Sequence, residues 1–495
     1  MSTGADSVKP GRLRRIITWP VRHWRWAVAG FVCLAALYAL VDQVLMKRLA
    51  TQLDRLRAAG RPATFAELGV GMLPPTENAA PLYRAAGKNT EAVLSGSREE
   101  DLRERLANAT TCPRHWRDDD RDYALLTEEE KQAIAGEMQA MDPELVRVLD
   151  ARTMPGCEFG NYASLSGAAA SPAAVLPDLA VVRSLARNLA YKAVWEAEQG
   201  NTEEALKWVA ANLRLANDLT GDPLLVTGLV RVAVASIAID SLERILHERE
   251  LPETVPGELY TELDALRDRK KLAHFLDGER CFSAAYTANP QTAGNLFTRV
   301  FYYAPGAAGL NEVTSILADA VEEEDYAKRR ELLTPLEKYG ANAVPQQGAS
   351  GPNPLLQKKG AGLLQKKAAG PFSGGFTAPW NMMVKITAPA LVRATEAFER
   401  QAAQAELARL ALAINAFRRD TGTYPEALEQ LAPRYLPELP RDPYSGDAFI
   451  YTKDESGFLL YSVGPNGTDD DGVALTGPGG VRGDILWCGG LKPEP

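Results

Sequence analysis

Histidine is scarce in this chain: four in 495 residues, at His23, His115, His247 and His274. A zincin helix needs two histidines one turn apart with a glutamate beside the first. His247-Glu248 begins that pattern, but Leu251 stands at the second ligand position. His115, beside Trp116 and Asp118–Asp120, lacks any ligand spacing and reads as a solvated polar loop. His274, near Asp277, Glu279 and Arg280, reads as a charge network on a helix surface. Cysteine is also sparse. Cys33, Cys112, Cys157, Cys281 and Cys488 form no C-x-x-C pair, which disfavours zinc ribbons and thioredoxin-like redox sites. No G-x-S-x-G elbow is present, because Ser373 falls one place late between Gly370 and Gly374. Gly69-Val70-Gly71 lacks the third glycine of a dinucleotide loop, and Gly87-Lys88 lacks the first glycine of a P-loop. Without a catalytic constellation, the expectation is a non-enzymatic protein.

A basic surplus is missing too. Lys+Arg number 55 against 64 Asp+Glu, a formal net charge of −9, so no basic stripe for a nucleic-acid partner is expected. The hydrophobic fraction of 46% is ordinary for globular chains and sufficient for substantial cores. The charge is unevenly spread: residues 1–48 carry +6 and the other 447 carry −15. A small basic head on a large acidic body is the arrangement of a membrane anchor.

Only one long apolar run stands out. Trp26–Val41 reads WAVAGFVCLAALYALV without a charge, and extension to Met46 admits only Asp42 and Gln43. About 20 residues at ~1.5 Å each match a hydrocarbon core of ~30 Å, so 26–46 is expected to be a transmembrane helix. Trp19, Trp24 and Trp26 mark its N-terminal edge, where amphipathic rings prefer the headgroup level. Six basic residues precede the span and Lys47, Arg48, Arg55 and Arg57 follow it. The positive-inside bias then makes 1–25 a cytoplasmic segment and turns the body to the periplasm across the bacterial inner membrane. A cleaved signal peptide or a buried helix of a soluble protein are the alternatives. Tyr38–Asp42 offers no clear small-x-small cleavage site, and Phe31-Val32 before Cys33 does not suit a lipoprotein.

Residues 47–340 are expected to form an all-α body. Leu179, Val182, Leu185, Leu189 and Ala193 make one apolar helix stripe; Leu206, Val209, Leu213, Ala216 and Leu219 make another after the break at Gly200. Asn201 and Glu204 have capping-box spacing for the second helix. Gly200–Ala205 resembles the turn of a tetratricopeptide hairpin, but no second copy follows at a 34-residue period. Residues 341–385, rich in Gly, Pro and Ser, read as a flexible linker carrying the near-copies Leu355–Lys359 and Leu363–Lys367.

Residues 386–495 carry the most specific pattern. A long amphipathic helix runs through Leu391, Phe398, Leu407, Leu410 and Ile414 and stops at Gly422. Thr423–Glu426 has capping-box spacing for a short helix with Leu428 and Leu431 on its apolar face. Phe449–Thr452 and Phe458–Val463 read as a hairpin, and Asp484–Trp487 as a last strand. This order, with Gly422-Thr423-Tyr424-Pro425, Pro440-Arg441-Asp442-Pro443-Tyr444 and Tyr461–Gly467, resembles the C-terminal domain of the major pseudopilin of type II secretion. The whole layout is similar to that of a group of planctomycete membrane-anchored proteins. The resemblance covers about 100 residues. It departs from a pseudopilin in two ways: Ala35 stands at the fifth position after the Gly30-Phe31 junction, where the family has Glu, and over 300 residues separate span from module. The fold class expected is therefore mainly α, with a transmembrane helix, an all-α body and a small α+β module.

In that family a calcium ion organises the loop after the last strands, and the resemblance implies Ca2+ here. Asp469, Asp470 and Asp471 would supply charge, Asn466 a neutral oxygen, and Asp484 would close the site. An EF-hand is excluded, because Gly467 occupies its first ligand position. The resulting functional expectation is a membrane-anchored protein serving protein–protein interaction, with secretion components as candidate partners. The alternatives are a helical-hairpin adaptor with a merely structural C-terminal module and, more weakly, a hydrolase with an unrecognised site.

Overall fold

The computed structural model describes residues 11–70, 73–95, 128–160, 176–288, 304–323, 325–339, 382–453, 457–473 and 483–487. The expected linker (but for its last four residues), the His115 cluster, Cys112 and Cys488 lie outside them. Eleven α-helices and one small sheet make up the regular structure among the described residues. The helices are α1 (Gly11–Ala58), α2 (Ala80–Ser95), α3 (Glu128–Ala151), α4 (Leu176–Glu198), α5 (Thr202–Asp218) and α6 (Leu225–Glu248). Then follow α7 (Gly257–Leu266), α8 (Lys270–Ala288), α9 (Ala304–Glu322), α10 (Tyr326–Leu333) and α11 (Met382–Thr421). Strands β1 (Ile450–Lys453), β2 (Phe458–Ser462) and β3 (Ile485–Trp487) form an antiparallel sheet in the order β1-β2-β3, with Tyr451 opposite Leu460 and Tyr461 opposite Leu486.

α1 joins two environments in one helix. Its apolar stretch is exposed among the described residues: Trp26 is 77% exposed and Phe31 73%. Three residues past Met46 the helix enters the body, burying Leu49 and Leu56 where it packs against α9. It stops where the Arg61 N–H donates to the Leu56 carbonyl at 2.9 Å, with Gly60 left-handed at φ 75°, a turn an L side chain resists. Arg61 then pairs with Asp319 at 2.8 Å, and buried Arg280 donates to the Pro62 carbonyl at 2.6 Å while pairing with Asp277. The expected surface charge network around His274 is thus partly interior: Arg280 is fully buried and holds the Pro62 carbonyl just past the end of α1.

The two apolar stripes of α4 and α5 face each other as expected, with Leu185, Leu189, Leu206 and Val209 fully buried. The capping boxes do not form. Asn201 follows the left-handed Gly200, so its side chain swings back and donates to Glu196 Oε2 at 2.9 Å. Near Glu426 the short helix is a 3₁₀ turn, Leu428–Leu431, and the Glu426 carboxylate pairs with Lys453 at 2.7 Å.

α6 is, besides α1, a helix long and apolar enough to cross a membrane. Here it is a core helix, burying Val234, Ala235, Ala238, Ile239 and Leu242. Its Arg231 is fully buried, donating to Gln401 Oε1 at 2.5 Å, to Asn217 Oδ1 and to the Ala265 carbonyl. Burial without a contacting carboxylate lowers this guanidinium to about 10.

α11 begins at Met382 and is shared by two cores. Leu391, Val392 and Phe398 pack with α8 and α9, whereas Leu407, Leu410 and Ile414 join α4–α7 and the sheet. The helix that opens the C-terminal module is therefore also an interior helix of the body.

Candidate functional site

The motif residues around Pro440–Tyr444 act by holding the sheet. Asp442 is 1% exposed and accepts three hydrogen bonds at 2.9 Å, from Ser462 Oγ, the Val463 N–H and the Tyr444 N–H. It thereby ties the end of β2 to the Pro-rich connection. Desolvation raises its pKa and these donors oppose the shift. Gly464 then reverses the chain at φ 66°; a Cβ there would lie 2.5 Å from the Gly483 carbonyl oxygen, so only glycine fits this close approach.

Beyond Gly464 comes the acidic loop. Asp484 is buried at its base and accepts from the Gly472 N–H at 2.8 Å and the Asp470 N–H at 3.3 Å. Asp469 Oδ1 accepts from the Tyr461 hydroxyl and the Asp471 N–H, both at 3.0 Å. Asn466 Nδ2 donates to Asp470 Oδ2 at 2.6 Å, and its Oδ1 accepts from the Thr468 N–H. The structure thus brings Asn466, Asp469, Asp470, Asp471 and Asp484 into one turn, but each engaged oxygen binds a local donor. No group of three or more potential ligands converges among the described residues.

Desolvation, reinforced by Asp470 and Asp469, pushes the Asp484 carboxyl up to about 7 from its ordinary 3.8. Between those values the folded chain binds more protons than the unfolded chain, so this group makes stability fall as pH rises through that window. Below the window and above it the contribution is flat. Asp484→Asn is expected to remove this slope, so the difference between the two thermal-stability profiles from pH 4 to 8 isolates it. A constant difference across that range would refute the assignment.

Two further features come from the fold alone. An open groove of about 430 Å³ lies between α7 and α11, lined by Tyr260, Thr261, Asp264, Arg409 and Tyr435–Pro437. On another side α10 straps the module down: the Tyr326 hydroxyl donates to the Pro465 carbonyl at 2.9 Å, and Arg329 donates to the Pro443 carbonyl at 2.9 Å. Arg329 also pairs with buried Glu399 at 3.2 Å. Sequence reading quoted Tyr444 without a role and passed over Tyr326 and Arg329. Their partners lie more than 100 residues away, beyond the reach of periodicity.

A second polar cluster sits inside the helical core. The Tyr83 hydroxyl donates to Asp218 Oδ2 at 2.6 Å, and Arg214 pairs with Asp218 Oδ1 at 2.7 Å. Burial pushes Asp218 up to about 6 despite these partners. Asn217 Nδ2 donates to Glu262 Oε2 at 2.7 Å, so the cluster is knit together by its own members. Burial also lowers His247 and His274 from their usual range.

No protein-family model, no curated protein sequence and no solved structure matches the chain.

Proposed function

We propose that the chain is a non-catalytic, single-pass membrane protein whose body engages protein partners. The observation that carries this reading is α1. An apolar stretch that is unburied among the described residues continues without a break into a buried, ion-paired seat on the body. Water is a poor surrounding for so many exposed large apolar side chains, and a bilayer is a good one. The excess of basic residues before the span supports a cytoplasmic N-terminus and a periplasmic body in the inner membrane.

The α7–α11 groove supports the partner reading, because tyrosine and arginine dominate binding energy at protein interfaces and both line it. The pseudopilin resemblance favours secretion or envelope components as partners. A photocrosslinking amino acid at exposed Thr261, in the full chain in native membranes, is expected to capture a discrete protein band. The same probe at exposed Gln132 on α3 serves as the control. Equal, diffuse labelling from both positions would count against the groove as the docking face.

A further inference from the structure

The strap formed by α10 borders a small, partly open cavity of about 40 Å³ lined also by α9, α11, Tyr444 and Pro465. Its walls are apolar on one side, where Leu317, Val321 and Leu333 stand, and polar where Glu399 and Tyr444 border it. Tyr444 is 4% exposed and Glu399 8%, yet Tyr444 Oη and Glu399 Oε2 have no hydrogen-bond partner within the protein. Buried polar atoms are almost always satisfied, and leaving a hydroxyl and a carboxylate oxygen bare in one small space is costly. The size of the space limits what can satisfy them. A water needs about 10–15 Å³ of such volume, so two or three fit and an organic ligand does not. A cation is opposed by Arg329, 3.2 Å from Glu399 Oε1, and by Arg330. An anion is opposed by Glu399 and Glu396.

We propose that this cavity is a resident-water site, in which two or three waters bridge Tyr444 Oη to Glu399 Oε2. The bridge ties Glu399 of α11 to Tyr444 of the Pro-rich connection, whose neighbour Pro443 is held by Arg329 of the strap. The two rings that face each other there, Tyr326 and Tyr444, meet edge to face at 5.1 Å and wall the waters in.

The dry and hydrated cavities respond in opposite ways to one substitution. Tyr444→Phe in the full detergent-solubilised chain deletes only the hydroxyl. If waters bridge it, the melting temperature falls by about 1–2 °C, the loss of one satisfied hydrogen bond in a chain this large. If the cavity is dry, the same change removes a bare buried hydroxyl and the melting temperature rises or stays level, which overturns the proposal. A crystal structure of the full chain at about 1.8 Å gives the second reading, since ordered waters are routinely placed at that level of detail. Density within hydrogen-bonding distance of both oxygens supports the site. An empty cavity, or a direct hydrogen bond between the two side chains, contradicts it.

Discussion

Removing residues 386–495 is expected to leave residues 47–385 without a cooperative unfolding transition. α11 supplies Leu391 and Phe398 to the core it shares with α8 and α9, and Leu407, Leu410 and Ile414 to the core it shares with α4–α7; none is more than 4% exposed. Burying each such side chain contributes about 1.5–3 kcal/mol. Losing five together removes an amount comparable with the whole stability of a domain, about 5–15 kcal/mol. Circular dichroism on heating reads this directly: a flat or gradual trace is expected, and a sharp transition at the parent temperature would contradict the shared core. A practical consequence follows for partner mapping. Deleting the C-terminal module cannot separate its interactions from those of the body, whereas a substitution at exposed Thr261 leaves both cores intact.

Gly278→Ala is expected to destabilise the chain by about 3 kcal/mol or more, at the severe end for a single methyl group. A Cβ at Gly278 on α8 would lie 1.8 Å from the Pro223 carbonyl oxygen and 2.6 Å from its carbon. Both atoms are backbone, and the chain next to Pro223 is pinned by buried Leu224 and Leu225. The helix and the α5–α6 connection would have to separate. Gly136 on α3 is the matched control, because nothing lies within 4 Å of its Cβ position. There alanine is expected to stabilise by about 0.5–1 kcal/mol through helix propensity. Denaturant midpoints of the two variants should move in opposite directions. A Gly278→Ala midpoint equal to the parent's would show that α8 and Pro223 are not in close contact.

Much of this architecture is legible locally. The stripes of α4 and α5, the stops at Gly60, Gly200 and Gly422, and the hairpin of β1 and β2 all arise from periodicity or from a left-handed glycine, and both signals act within a few residues. The capping boxes were misleading for a local reason as well: a preceding Schellman turn redirected Asn201 toward Glu196. What sequence could not show is long-range. Arg393, Glu396, Glu399 and Arg400 mark α11 as no membrane helix, but not what they face. Glu399 is buried against Arg329 from α10, and the apolar residues before and after it along the helix serve two cores. The acidic loop shows the same limit. Its composition suggests a cation, and what composition does not reveal is that Asp469 accepts from Tyr461 and Asp484 from backbone N–H groups across the loop.

Membrane anchoring by α1 is tested most directly by alkaline carbonate extraction of membranes containing the full chain, beside a variant lacking residues 1–46. That deletion spares Leu49, Leu56 and Arg61, the side chains that seat the helix on the body. The full chain is expected to remain in the pellet and the variant to appear, folded, in the soluble fraction. Release of the full chain by carbonate, or retention of the folded variant in the pellet, would contradict an anchor at residues 26–46.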